Sequence, residues 1–216
     1  MTTRTRKPVA QTGRPLGPRA IRTRERLMEA TAELLAECSV LDISVVDIAR
    51  KAQTSPATFY HYFKDVEEVA LRLAEQAADE MPAVLQLIDG DWEGAAGLET
   101  ARRIVDGFVD HWDKHHAVLQ LRNLAADRGD RRFMRVRRET LRPVLDRFAQ
   151  KIEAAQAAGR VASEIHPYVA AAAIASILER LAAHHRDLST FNVSRDDLVE
   201  SCARIVHQTV TGRTLS

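Results

Sequence analysis

Residues 43–63 read ISVVDIARKAQTSPATFYHYF and spell two short helices joined by a tight corner. Ser44 is placed to cap the first. Its hydroxyl can accept from the amide of Asp47 while that carboxylate returns the bond, a capping box. Val45, Ile48, Ala49 and Ala52 then recur at i, i+3, i+4 and i+7 and make one apolar face. Gln53-Thr54 form the corner. Ser55 caps the second helix, and Pro56 takes its first position, where a missing N–H costs nothing. Two helices this small need a third to bury against, and residues 21–38 supply it with the stripe Leu27, Thr31, Leu34, Leu35 and Cys38. Phe59 and Phe63, four apart, plug the resulting bundle, while Thr58, Tyr60, His61 and Tyr62 are expected to face outward. This is the layout of a helix-turn-helix, which offers such side chains to base edges and phosphates in a major groove. The candidate DNA-facing residues are Ser44, Val45, Thr54, Ser55, Ala57, Thr58, Tyr60, His61, Tyr62 and Lys64.

Charge is unevenly spread. The first 26 residues hold eight Lys or Arg against the single Glu25, which leaves 23 basic and 29 acidic residues for the rest of a chain whose net charge is only +1. A basic arm on an acidic body points toward a polyanion. Pro8, Gly13, Pro15, Gly17 and Pro18 argue against packed structure up to residue 18, so Arg4, Arg6 and Arg14 are expected to lie along phosphates or in a minor groove. A merely solubilising terminus is the other reading of this segment.

Other classes find little support. The 216 residues suit two domains of unequal size. There is no strand-period alternation, no Gly-rich phosphate loop, no apolar run long enough to span a bilayer and no secretory signal. Cys38 and Cys202 fall on apolar helix faces and are expected to be buried thiols in a reducing cytoplasm. Trp92, beside the breakers Asp89-Gly90-Asp91 and Gly94, is expected to be exposed in a loop.

Past residue 64 the pattern stays helical. One helix is predicted over 65–87, on Val69, Leu73, Ala77 and Met81. The next carries Leu98, Ala101, Ile104, Val105, Phe108, Val109 and Trp112, followed by 118–125 and then 131–158. In the last of these Leu141, Val144, Leu145, Phe148 and Ile152 face inward, Pro143 should bend the helix and Gly159 should stop it. A helix from His166-Pro167 to about 186 bears a cluster of small side chains. Another starts with the capping box Ser194 to Asp197 and carries the stripe Leu198, Cys202, Ile205, Val206 and Val210. These two either complete the monomer core or pair with their copies in a four-helix interface about a two-fold axis. The second reading is preferred, with Ala172, Ser176, Leu198, Cys202, Ile205, Val206 and Val210 at the interface.

The histidines His111, His115, His116, His184 and His185 invite a metal reading. No Cys pair accompanies them and no H-E-x-x-H arrangement occurs, so neither metal nor cofactor is expected. The arginines Arg128, Arg131, Arg132, Arg135, Arg137, Arg138 and Arg142 are expected to be a solvated face paired with carboxylates, an acidic ligand head-group being the other possibility.

Residues 43–68 resemble the N-terminal domain of the TetR family of bacterial transcriptional repressors, at Ile48-Ala49, Ala52, Ser55, Thr58, Phe59-Tyr60, Tyr62-Phe63 and Glu67-Glu68. Two positions depart from that pattern. Gln53 stands where glycine is usual, a corner that favours positive φ, and Val66 stands where a lysine commonly opens the fourth helix, leaving Lys64 for that phosphate contact. Residues 108–118, FVDHWDKHHAV, with Leu178-Glu179-Arg180, are similar to the mycobacterial ethionamide-resistance repressor subgroup. That resemblance implies an apolar tunnel for hydrophobic or acyl-like molecules, in which Trp112 replaces another aromatic and Leu178 an asparagine. The expected lining is Phe108, Trp112, Leu119, Leu124, Phe133, Met134, Leu145, Ile174 and Leu178.

The expected protein is therefore all-α. A basic arm (1–18) and a three-helix helix-turn-helix domain (19–64) precede a six-helix ligand-binding and dimerisation domain (65–216). It is expected to act in the cytoplasm, off the membrane, as a homodimeric repressor that holds operator duplex and releases it to a hydrophobic effector. A helical enzyme or carrier of the same apolar ligand is the rival reading.

Overall fold

The computed structural model describes residues 16–38 and 42–214. These residues hold nine α-helices and no strand: α1 Pro18–Glu37, α2 Val45–Lys51, α3 Pro56–Tyr62, α4 Val66–Glu80, α5 Pro82–Ile88, α6 Gly94–Asp127, α7 Arg131–Ala157, α8 Pro167–His184 and α9 Arg195–Thr211. A 3-10 segment, His185–Phe191, follows α8. Pro82 splits the single helix expected over 65–87, because a proline offers no N–H to the preceding turn. The two helices expected on either side of residue 115 are the two arms of α6, which meet at a kink where His115 leaves helical geometry at φ −120, ψ 17. Helix α7 runs through Pro143.

The chain forms two compact units, and they do not follow a simple cut at residue 64. The first contains the helices up to Ala77 together with Ala117–Phe133; the second is Ala78–His116 with Met134 onward. In the first unit α2 packs on both α1 and α3. Leu27, Thr31, Ile48, Ala49, Phe59 and Phe63 are buried there, and Lys51 bridges from α2 to Glu33 and Glu37 of α1 at 3.1 and 2.8 Å. Cys38 lies at the exposed end of α1, not in its core.

The second unit is cross-tied. Trp92 is buried, correcting the exposed loop residue expected. Its indole N–H donates to the Ile88 carbonyl at 2.9 Å, while its ring meets Phe148 of α7 edge-on and stacks on His207 of α9. Gly97 makes that seat possible, because a Cβ there would lie 2.3 Å from the Trp92 carbonyl carbon and oxygen. Arg147 of α7 donates to the Leu85 carbonyl on α5 at 3.0 Å. Arg195 on α9 reaches Asp106 and Asp110 of α6 at 2.6 Å each.

Arg102 on α6 holds Glu200 on α9 at 2.6 Å, and Arg204 holds the same carboxylate at 2.6 Å. The hydrogen bond from Arg102, then that from Arg204, keeps the Glu200 carboxyl down at about 2 instead of 4.5. A carboxylate depressed in the folded state contributes stability that is present above its unfolded pKa and is lost as pH falls through the folded one. Glu200→Gln should therefore unfold at lower urea than the parent at neutral pH, and the gap should narrow steadily from pH 4.5 to about 2. Urea midpoints across that range check it; a gap independent of pH would remove the ion pair from the account.

Candidate nucleic-acid interface

Both start signals of the helix-turn-helix form as their residues dictate. The Ser44 hydroxyl accepts from the Asp47 amide at 3.2 Å and the Asp47 carboxylate accepts from the Ser44 amide at 3.3 Å. The hydrogen bonds from Ser44 hold the Asp47 carboxyl below its usual range. The Ser44 side chain is thus engaged in starting α2. Between the helices, the amides of Ala52, Gln53 and Thr54 donate to Ile48, Arg50 and Ala49 at 2.9, 3.1 and 2.8 Å. Gln53 takes φ 52, the left-handed corner expected of a position where glycine is usual. Ser55 then accepts from the Thr58 amide at 3.2 Å.

One side of α3 is sealed inside. Phe59 and Phe63 pack with ring centroids 5.6 Å apart, and the Arg24 guanidinium lies 5.2 Å over the Phe63 ring. Burial, then the charge of Arg72, lowers the pKa of that guanidinium. The opposite side is open. Tyr60 is 54% exposed, held by its ring edge 5.7 Å from Phe59. Ser44, Ser55, Ala57, His61 and Lys64 are exposed, and Val45, Thr54 and Thr58 are half-buried. Tyr62 is the exception among the residues expected to face outward. It is buried and carries His61 edge-on at 5.1 Å, because the helical step from Phe59 brings residue 62 back to the inner side. Arg4, Arg6 and Arg14 fall outside the described residues.

The sequence patterning did not single out α1 as a contact element, although its charge was counted. Arg19, Arg22 and Arg26 are all exposed at i, i+3 and i+7, one turn apart along a single face. Spacing, and not only charge, was the available signal. At the start of α4 the Lys64 amide donates to Glu68 and the Glu68 amide to Asp65, both at 2.8 Å, so the backbone beside the exposed Lys64 side chain is fixed.

The expected ligand-lining residues divide between the units. Phe108, Trp112, Ile174 and Leu178 are buried in the second, and Leu119 and Phe133 are buried in the first. Leu145 is half-buried. Leu124 and Met134 are 48% exposed and so leave the lining: each extends an apolar pattern onto the outward side of its helix. Trp112 meets His116 edge-on at 6.4 Å. The other histidines of this group are tied to neighbours. His115 Nε2 lies 2.8 Å from Glu80, which also takes Lys114 at 2.8 Å. His185 Nδ1 lies 2.8 Å from the Ala182 carbonyl, and His184 3.1 Å from Asp187.

The expected dimer residues also divide. Helix α9 packs on α8 and buries Leu198, Cys202, Val206 and Val210 within the monomer, so these four complete the core and are corrected as interface residues. Burial pushes the Cys202 thiol up to about 11, which keeps it from acting as a thiolate. Ala172, Ser176 and Ile205 remain exposed, and Val169 is exposed beside them in sequence register on α8.

Residues 27–73 match the family of bacterial regulatory proteins, tetR family, and residues 85–216 match the tetracyclin repressor-like C-terminal domain. Among solved structures the chain is similar to GusR of Salmonella enterica, at 15% identity and a TM-score of 0.66 over 90% of this chain and 97% of that one. It is similar to the regulator FadR of Bacillus subtilis, solved in complex with stearoyl-CoA, at 17% identity and a TM-score of 0.61 over 88% and 98%. The SmeT–triclosan complex gives 15% identity and a TM-score of 0.61 over 88% and 90%. At such identities the likeness to these structures speaks for the fold.

Proposed function

Since this chain belongs to the TetR family of bacterial transcriptional regulators, we propose that it is a repressor that grips operator DNA as a homodimer and lets go when an apolar small molecule enters its second unit. The observation that carries the DNA half is α3. It is capped at its start, anchored from within by Phe59 and Phe63, and bare on its outer side at Tyr60 and His61. A short helix so fixed presents its side chains in one orientation, as major-groove reading demands. Thr58, Tyr60, His61 and Lys64 are the residues given contacts to DNA. The half-buried Thr54 and Val45 frame them, and Arg4, Arg6 and Arg14 add phosphate contacts from the arm.

For the dimer, the outward face of α8 is an apolar surface left uncovered among the described residues. Val169 is 66% exposed, Ala172 and Ser176 follow one and two turns on, and Ile205 of α9 is 49% exposed. Small side chains at this spacing let a copy of the same helix approach closely. For the effector, the buried aromatics Phe108 and Trp112 with Ile174 and Leu178 suit an apolar molecule. FadR was solved with stearoyl-CoA, whose acyl tail is apolar although its CoA head is strongly anionic, and SmeT with triclosan. Ligand entry shifts the population toward a form with lower DNA affinity, to the extent that it binds that form better.

Selection from a randomised pool of duplexes by the purified protein tests this. A two-fold-symmetric sequence should be enriched, its half-sites separated by a whole number of helical turns of about 10 base pairs. Recovery of no sequence above the input, or of a lone half-site by a monomer, overturns the proposal.

A further inference from the structure

Phe191 is 75% exposed, more than any other large apolar side chain among the described residues. The segment that carries it is hydrogen-bonded throughout. Phe191 ends the 3-10 turn that follows α8, where the Ser189 hydroxyl donates to the Arg186 carbonyl and the Thr190 hydroxyl to the Asp187 carbonyl, both at 2.7 Å. Asn192 then closes the turn in the left-handed region at φ 57, its amide donating to the Leu188 and Ser189 carbonyls. A phenyl ring presented to water on so fixed a backbone gives up little freedom when it is covered, which is what an anchor of an interface requires.

The opposite end of α8 carries a second apolar spot, Ile165 at 45% and Val169 at 66% exposed. Between the ends, on a helix of 18 residues about 27 Å long at 1.5 Å per residue, the outward side holds only Ala172, Ala173 and Ser176, all exposed. The ends also differ in charge. Glu164 precedes the helix and Arg180 lies in its second half; both are exposed, and neither forms an ion pair among the described residues. A two-fold axis along the helix would set Arg180 beside Arg180 and Glu164 beside Glu164, which repel. An axis across it, through Ala172, runs the copies antiparallel and brings each Arg180 to the Glu164 of the other, because Ala172 lies midway between the two in sequence. We infer that two copies of the chain pair antiparallel along α8, with Phe191 of each seated on Ile165 and Val169 of the other. This rests on the proposal above that the chain is a homodimer, and it names the anchor and the direction of that pairing. Small side chains then meet small ones at the crossing, apolar end meets apolar end, and acid meets base. All of these residues belong to the second unit.

Sedimentation equilibrium and cross-linking test the pairing. Phe191→Ala should raise the dimer dissociation constant by about 30-fold or more with an unchanged circular dichroism spectrum, whereas Met134→Ala, 48% exposed elsewhere on the same unit, should leave it where it was. Arg180→Glu should weaken the dimer, and adding Glu164→Arg to it should restore most of the affinity, as only the antiparallel arrangement allows. For cross-linking, the exposed Cys38 is first replaced by serine. Phe191→Cys and Ile165→Cys chains, co-expressed and treated with a short bismaleimide, should then yield linked dimers that neither variant yields alone. Linkage of Phe191→Cys chains to themselves, failure of the charge exchange to restore affinity, or wild-type dimerisation in Phe191→Ala overturns the inference while the homodimer stands. Sedimentation of the wild type as a monomer at every concentration is a different outcome and counts against the homodimer itself.

Discussion

Phe59→Ala should cost about 3–5 kcal/mol of stability, the usual price of removing a fully buried phenylalanine. The ring is 0% exposed and touches both Phe63 and the edge of Tyr60. A domain held by about 5–15 kcal/mol in total gives up about a fifth of its margin or more. Helices α2 and α3 hold seven residues each, too few to persist alone, so they depend on this side chain for their relative position. Urea unfolding followed by circular dichroism measures the loss. A cost below about 1 kcal/mol, typical of an exposed site, would show that Phe59 is not the centre of the bundle.

One residue further on, Tyr60→Ala should leave stability nearly unchanged and remove most of the DNA binding. The side chain is 54% exposed, and alanine is the better helix former, so little is lost in the free protein. On DNA the phenol is expected to donate to a phosphate or base edge, and a hydrogen bond to a charged group is worth about 1.5–3 kcal/mol. The dissociation constant for the enriched duplex should therefore rise by about 10- to 150-fold. Tyr60→Phe separates the hydroxyl from the ring: most of the loss should remain if the O–H makes the contact. Wild-type affinity in Tyr60→Ala, measured by gel shift, would move the reading surface elsewhere.

Local chemistry was the legible part of this chain. Ser44 with Asp47, and Ser194 with Asp197, form the capping boxes their spacing announces, since a cap needs only residues three apart. The corner at Gln53 and the stop at Gly159, at φ 69, are local in the same sense. Burial is not. A periodic stripe says that a helix has an apolar side, and it does not say whether the same chain or a copy covers it. The stripe of Leu198, Cys202, Val206 and Val210 fits an interface as well as a core, and these residues lie in the monomer core. Trp92 looked like a loop residue because Gly90 and Gly94 surround it, yet Phe148 and His207, far along the chain, enclose it. Cys38 and Met134 erred the other way, as apolar residues extending a stripe past the point where anything packs on it. The carboxylate partners expected of the α7 arginines are not readable from spacing either: Arg132 meets Asp130 at 2.7 Å and Glu67, on another helix, at 2.9 Å.

The unit that contains the recognition helix is not a contiguous stretch of gene. Residues up to Ala77 share it with Ala117–Phe133, and within that inserted piece Val118, Leu119, Ala126 and Phe133 are buried. A fragment ending anywhere before residue 117 would lack those side chains and leave their neighbours wet. Exchange of DNA specificity between relatives by recombination at a single crossover is thus poorly suited to this chain. With α3 as the proposed reading element, new operators are more readily acquired by point changes on it, and a laboratory chimera must carry the second segment along with the first.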